Sequence, residues 1–408
     1  MATIPGTSGD DTLDGTSDAD RFDLEAGGDD TAFGRKGFDN FFFGAEFTAA
    51  DHVDGGQSGD TVWLDGDYRH RLVLGADTLH DVETILVLAG YSYNLATDDA
   101  NVGAGTTLRA DGDGLSIADR LKFDGSAETD GDFVLAGGAG DDVLVGGAQG
   151  DLFQGSPGGD VARGGGGDDY FGLDLGMDAG DRIDGGAGVD DTVLIEGWSG
   201  SPLALTGKTF RNIDTFRIDA GAGVAGAISV GDGVTAAGAA MTVTWESFGA
   251  GDFAFDGSAE TDGLFILNSE DGADTLEGGR QDDTIRPAAG NDVLIGGGGA
   301  DFMIGGAGAD RFVYETTEDS SRHHRDFIYD LAAEDLIDLS GIDADETAGG
   351  DQAFTLVSAF SHAAGEAVLA YQPGSYRTLL SLDVDGDGKA DTVVELNGDN
   401  SGYGNFVL

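Results

Sequence analysis

The sequence predicts an all-β chain, a right-handed parallel β-roll or β-solenoid. Three observations predict it: a nine-residue period, a larger duplication laid over that period, and intervening segments made of short β-rich runs with no long helical period.

The period has the form G-G-x-G-x-D-x-U-x, where U is apolar. In one block Asp142, Asp151, Asp160 and Asp169 fall nine residues apart, each followed two positions later by Leu144, Phe153, Ala162 or Phe171. A later block runs Asp274, Asp283, Asp292, Asp301 and Asp310, with Leu276, Ile285, Leu294, Met303 and Phe312 in the apolar slot. An earlier, weaker block carries Asp11, Asp20, Asp30 and Asp39, with Leu13, Phe22, Ala32 and Phe41, and one of its steps is ten residues. Thr7, Thr16 and Arg35 stand there where glycine is expected, so this block reads as a partial or capping coil. Asp60 and Asp190 are added to the candidate aspartates of the first and second blocks.

The duplication shows in the segments between blocks. FDGSAETDG occupies both 123–131 and 255–263, and Thr78-Leu-His-Asp-Val-Glu-Thr84 parallels Thr209-Phe-Arg-Asn-Ile-Asp-Thr215. We place module one at 1–136, module two at 137–268, a third block at 269–318 and a C-terminal module at 319–408. Runs such as Arg71 to Leu74, Val82 to Leu88, Phe210 to Ile218 and Met241 to Trp245 read as strands. A solenoid that continues across these segments without calcium is the simplest picture.

In each unit the residues G-G-x-G-x-D make a turn and the next three a short strand, so that two units close one coil. Glycine is required where a turn needs positive φ and where carbonyls converge with no room for a Cβ. The candidates are Gly138, Gly140, Gly147, Gly165, Gly167, Gly279, Gly297, Gly299, Gly306 and Gly308. Coils stack at the strand spacing of ~4.8 Å, which sets the aspartates in rows. Neighbouring carboxylates at that spacing repel by about 0.9 kcal/mol in bulk water and several-fold more near a protein surface. Calcium suits such a row, because it takes six to eight oxygens at roughly 2.3–2.6 Å.

Composition agrees. The 408 residues include 73 glycines, and 77 acidic against 20 basic side chains give a formal charge of -57. Such a surface repels nucleic-acid phosphate and acidic headgroups, so cations are the expected partner. The absence of cysteine removes disulfides, thiolate chemistry and the usual ligands of structural zinc, leaving oxygen as the metal donor. The amino terminus lacks the basic and apolar regions of a secretory signal, and no apolar run approaches the roughly 20 residues of a membrane span.

These blocks resemble the RTX, or haemolysin-type calcium-binding, repeats of proteins exported by type I secretion. The C-terminal module is similar to the non-catalytic end of the serralysin metalloproteases. The similarity runs through Asp326-Phe-Ile-Tyr-Asp-Leu331, Asp335-Leu-Ile-Asp-Leu-Ser-Gly-Ile-Asp-Ala344, Gly350-Asp-Gln-Ala-Phe354 and Leu382-Asp-Val-Asp-Gly-Asp-Gly-Lys-Ala-Asp391. The resemblance implies an uncleaved C-terminal export signal, here ending Asn405-Phe-Val-Leu408 with asparagine in place of the usual acidic residue. It also implies passage through the type I machinery unfolded, and folding outside on calcium. Asp383, Asp385, Asp387 and Asp391 form a further candidate calcium loop in a hairpin, with Val394 where an EF-hand would need a bidentate acid.

No enzyme is legible. The protease's H-E-x-x-H is absent, because the six histidines never stand four apart, and no G-x-S-x-G elbow occurs. Arg69-His-Arg71 beside Asp67 and Tyr68, and His323-His324 between two arginines, read as solvated surface. Expected is a secreted, extracellular or cell-surface calcium-binding scaffold, non-enzymatic and self-associating. The alternative is an enzyme of the lyase or epimerase type acting on extracellular polysaccharide, or its accessory module. A row of exposed aromatics and arginines along 63–136 would favour that alternative.

Overall fold

The computed structural model describes residues 1–173, 180–247, 249–350 and 352–408. It divides into two compact units, Met1–Glu196 with Lys208–Ile213, and Gly197–Gly207 with Asp214–Leu408. That division falls inside the sequence module 137–268.

In the first unit every coil sends one short strand to each of two facing sides. On one side Ala2–Pro5, Asp20–Asp23, Asn40–Gly44, Thr61–Leu64, Thr84–Val87, Thr107–Asp111, Asp132–Ala136, Leu152–Gln154 and Tyr170–Leu173 pair in parallel, each with the next. Strand periodicity turns alternate residues inward. The register therefore stacks Ile4, Phe22, Phe41, Val62, Ile85, Ala110, Leu135, Phe153 and Phe171 into one column. Phe22 stacks on Phe41 at 4.6 Å, and Phe153 on Phe171 at the same distance. Each such side chain contributes about 1.5–3 kcal/mol by leaving water. Across the coil a second column runs through Leu95, Phe123, Leu144, Ala162, Ile183 and Phe210.

The second unit repeats the arrangement. Thr215–Ala220, Ala240–Ser247, Leu264–Asn268, Thr284–Arg286, Phe302–Met303 and Phe327–Ile328 stack in parallel on one side. Gly226–Val230, Phe253–Asp256, Thr275–Glu277, Val293–Ile295, Arg311–Val313 and Leu336–Asp338 do so on the other. Beyond Leu336–Asp338 the topology changes. Glu366–Gln372, Arg377–Asp383 and Thr392–Asn397 are antiparallel neighbours, and Thr392–Asn397 returns to lie parallel to Phe327–Ile328. Phe406–Val407 adds a last parallel strand to Leu336–Asp338.

The chain is thus an all-β parallel solenoid, and the intervening segments continue the coil as expected. They do so with longer turns. In the nonapeptide blocks equivalent residues lie 18 apart, as for Asp142 and Asp160, whereas Thr84 pairs with Arg109 and Arg109 with Val134. Among the described residues the one helix is the 3-10 turn Asp99–Asn101, capped by Asp98.

Candidate calcium sites along the turns

The nonapeptide aspartates form hydrogen-bonded ladders. One oxygen of each accepts the backbone N–H of the equivalent residue one coil earlier. The N–H of Asp142 donates to Asp160 Oδ1 at 2.8 Å and that of Asp151 to Asp169 Oδ1 at 2.8 Å. Asp274, Asp283, Asp292 and Asp301 donate in the same way to Asp292, Asp301, Asp310 and Asp326. In the first block Asp11 donates to Asp30, Asp20 to Asp39 and Asp39 to Asp60. Fixed spacing and parallel register bring this about: the residue that starts each strand stands directly over its counterpart.

The second oxygen separates the sites into two groups. For Asp30, Asp39, Asp60, Asp142, Asp169, Asp292, Asp301 and Asp310 it is buried and accepts no hydrogen bond. For Asp11 and Asp20 it takes the N–H of Thr7 and Thr16, both at positions where glycine was expected. Asp151 and Asp283 take those of Gly147 and Gly279, Asp160 the hydroxyl of Ser156 and Asp274 that of Ser269.

An orphaned buried carboxylate oxygen is costly, and the charge on it more so. Burial accordingly pushes the carboxyls up: Asp169 and Asp301 to about 8, Asp60, Asp142, Asp283 and Asp292 to about 7, and Asp39, Asp151 and Asp160 to about 6. In Asp169 the charges of Asp151, Asp191 and Asp168 add to the same direction. A cation among them would offset that cost by pairing with the charged carboxylates.

The backbone leaves room for one. A Cβ at Gly164 would lie 1.8 Å from Asp169 Oδ2, and one at Gly296 would lie 2.2 Å from Asp301 Oδ2. In these units the first glycine therefore keeps open the space that the second oxygen faces. With hard oxygen donors only, the turns fit calcium, which would be held by the orphaned aspartate oxygens and would supply the positive charge that the row lacks.

Of the turn glycines named from sequence, Gly138, Gly165, Gly167, Gly297, Gly299, Gly306 and Gly308 adopt positive φ. Gly140, Gly147 and Gly279 do not, and their requirement is space: a Cβ at Gly140 would meet the Asp119 carbonyl at 1.9 Å. One aspartate needs correction. Asp190 is exposed, and the residue in register is Asp191, 1% exposed, whose Oδ1 accepts the N–H of Asp169. The apolar slot already pointed there, since Val193 follows Asp191 by two and Thr192 holds that place for Asp190. Missed altogether were Asp51, Glu83, Asp181, Asp326 and Asp335, which continue the ladders from Asp30, Asp60, Asp160, Asp301 and Asp310.

In the C-terminal hairpin Asp383, Asp385 and Asp391 bring carboxylate oxygens within 4.8 Å of one another. Asp383 is fully buried and caps the N–H groups of Gly386 and Gly388. Asp387, named with them from sequence, is outside that group and turns to Lys389 Nζ at 2.6 Å. The arginines that would read an anionic sugar along 63–136 are tied to acids: Arg69 to Asp67, Arg71 to Asp124, Arg109 to Asp111 and Asp113, and Arg120 to Asp141. His323 and His324 are exposed.

Ladders of buried carboxylates with unpartnered oxygens, closed by glycine turns on a parallel solenoid, define a calcium-binding β-roll. Residues 3–30, 130–153 and 146–179 match the family model of the RTX calcium-binding nonapeptide repeat, and residues 232–408 match that of the Peptidase M10 serralysin C terminal. The chain carries RTX calcium-binding nonapeptide repeats and a serralysin-type C-terminal region, and its cofactor is calcium in multiple copies. The serralysin match starts well upstream of the stretch that sequence reading picked out, taking in the third block and part of the segment before it. No curated protein matches the chain.

Proposed function

We propose that this protein is a secreted calcium-binding scaffold that folds when it meets extracellular calcium and serves a non-enzymatic structural role at the cell surface or in the matrix, associating with copies of itself. The observation that carries the reading is the row of buried, unpartnered aspartate oxygens, which makes the coil self-repelling without calcium and neutralised with it. Binding free energy then becomes folding free energy, so export in low-calcium cytosol and folding outside follow from one device. Type I secretion is supported by both family matches. The pairing of each arginine along 69–120 with an aspartate supports a scaffold over a reader of anionic polysaccharide.

The test is a calcium titration of purified protein from chelator to about 10 mM, followed by light scattering and electron microscopy. Growth into sheets or filaments at millimolar calcium is expected. A protein that stays monomeric throughout would defeat self-association, and turnover of a uronic-acid polysaccharide to unsaturated product would replace the scaffold by a lyase.

A further inference from the structure

The duplicated segment FDGSAETDG builds the same side-chain cluster twice, once in each unit. In the first unit Asp99, Glu128 and Asp130 bring carboxylate oxygens within 4.8 Å of one another, and in the second Asp232, Glu260 and Asp262 do the same. Neither cluster belongs to a G-G-x-G-x-D turn: Phe133 and Phe265, in register with Asp151 and Asp283, stand where the nonapeptide would have its aspartate.

At the centre of each cluster is a buried glutamate, Glu128 at 1% and Glu260 at 0% exposure. Glu128 Oε1 accepts the N–H groups of Thr129, Asp130 and Gly131 at 3.1, 3.0 and 2.9 Å. Its Oε2 is buried and accepts nothing. Glu260 Oε1 likewise takes Thr261, Asp262 and Gly263, and its Oε2 has one long contact, 3.4 Å, from the Thr235 N–H. The flanking acids are held in place by the same threonine in both copies: the Thr129 hydroxyl donates to Asp99 Oδ1 at 2.7 Å and the Thr261 hydroxyl to Asp232 Oδ1 at 2.7 Å. Among the described residues no lysine or arginine forms an ion pair with any of these six carboxylates.

Three converging carboxylates, one of them buried with an idle oxygen, need a cation. The donors converging within 4.8 Å of one another are all carboxylate oxygens, the hard ligands that calcium takes in flexible geometry. We propose that Asp99–Glu128–Asp130 and Asp232–Glu260–Asp262 are a pair of calcium sites outside the nonapeptides, each fastening the last intervening coil to the second turn of the repeat block that follows it.

The position supports the fastening role. The Glu128 carbonyl accepts the N–H of Ala148, and the Thr129 carbonyl accepts Gln149 Nε2 at 2.9 Å, both from the turn that ends at Asp151. Gln281 makes the same bond to the Thr261 carbonyl at 2.9 Å, beside Asp283. A filled site therefore fixes the template on which the next coil stacks.

The experiment uses the full chain. Bound calcium is counted by equilibrium dialysis for the unsubstituted protein and for the double variant Asp99→Asn, Asp232→Asn, both at exposed positions. The expected result is a loss of about two ions per chain, an unchanged far-ultraviolet spectrum in saturating calcium, and a folding midpoint moved several-fold to higher calcium. Glu128→Gln, Glu260→Gln keeps the acceptor for the three N–H groups and is expected to lose the same ions. Full calcium content in both variants would overturn the proposal and leave the glutamates as turn caps. An unsubstituted chain that binds no calcium would instead defeat the reading of the repeats themselves.

Discussion

The third repeat block and the first two turns of the chain share one ladder and differ in what the second aspartate oxygen does. In the third block Asp292, Asp301 and Asp310 are about 1% exposed and keep that oxygen unpartnered. At the amino-terminal end Asp11 and Asp20 give it to Thr7 and Thr16. A hydrogen-bonded turn closes on its own, whereas a turn with an idle buried carboxylate oxygen needs a cation or a proton. The same covalent pattern therefore yields turns with and without an idle carboxylate oxygen, and the difference is set by residues around the aspartate.

The largest expected effect is from removing Asp301. Asp301→Ala takes away the acceptor of the Asp283 N–H and a proposed calcium ligand, and in saturating calcium should cost about 3 kcal/mol in urea unfolding. Asp11→Ala breaks contacts that lie at the surface and should cost about 1 kcal/mol or less. Equal losses would erase the comparison.

Asp301→Asn sharpens it. The amide keeps an oxygen for the Asp283 N–H and lacks the charge, so it should destabilise the protein in calcium and leave it unchanged or slightly more stable in chelator. The unfolding midpoint should fall in calcium and hold or rise in chelator.

In chelator the pH dependence follows from the raised carboxyls. Because burial lifts Asp169 and Asp301 to about 8 and Asp142 and Asp292 to about 7, the folded chain holds protons more tightly than the unfolded one. That stabilisation is fully present below about pH 4, the ordinary carboxylate range, and is lost as pH rises through 6 to 8. Calcium-free protein should thus be most ordered near pH 4 and least ordered near pH 8, read by near-ultraviolet circular dichroism, and calcium should abolish the trend.

The smallest effect concerns Ala288, which holds a glycine slot of the third block at φ 64. Ala288→Gly relieves left-handed strain and should stabilise the block by about 1 kcal/mol, seen as a rise in melting temperature.

Where a structural rule is local, the sequence shows it. The nonapeptide sets its turn, its strand and its inward residue within nine positions, so the parallel coil and the aspartates of the regular blocks could be read directly. Asp51, Asp181, Asp326 and Asp335 escaped because the coils that carry them hold 21 or 25 residues, which breaks the period. The signal that survives is an acid two residues before an inward apolar side chain, as in Asp51 with Val53, Asp326 with Ile328 and Asp335 with Ile337. What no spacing reveals is the fate of the second oxygen. That depends on whether a neighbouring N–H or hydroxyl can reach it, as Ser156 reaches Asp160 and nothing reaches Asp142.

The central claim is that calcium on these idle oxygens drives folding, and far-ultraviolet circular dichroism of the full chain at pH 7.5, first in chelator and then with calcium added, tests it most directly. The account predicts a largely unfolded spectrum in chelator that converts cooperatively to a β spectrum at millimolar calcium. A complete β spectrum in chelator, unchanged by calcium, would contradict it.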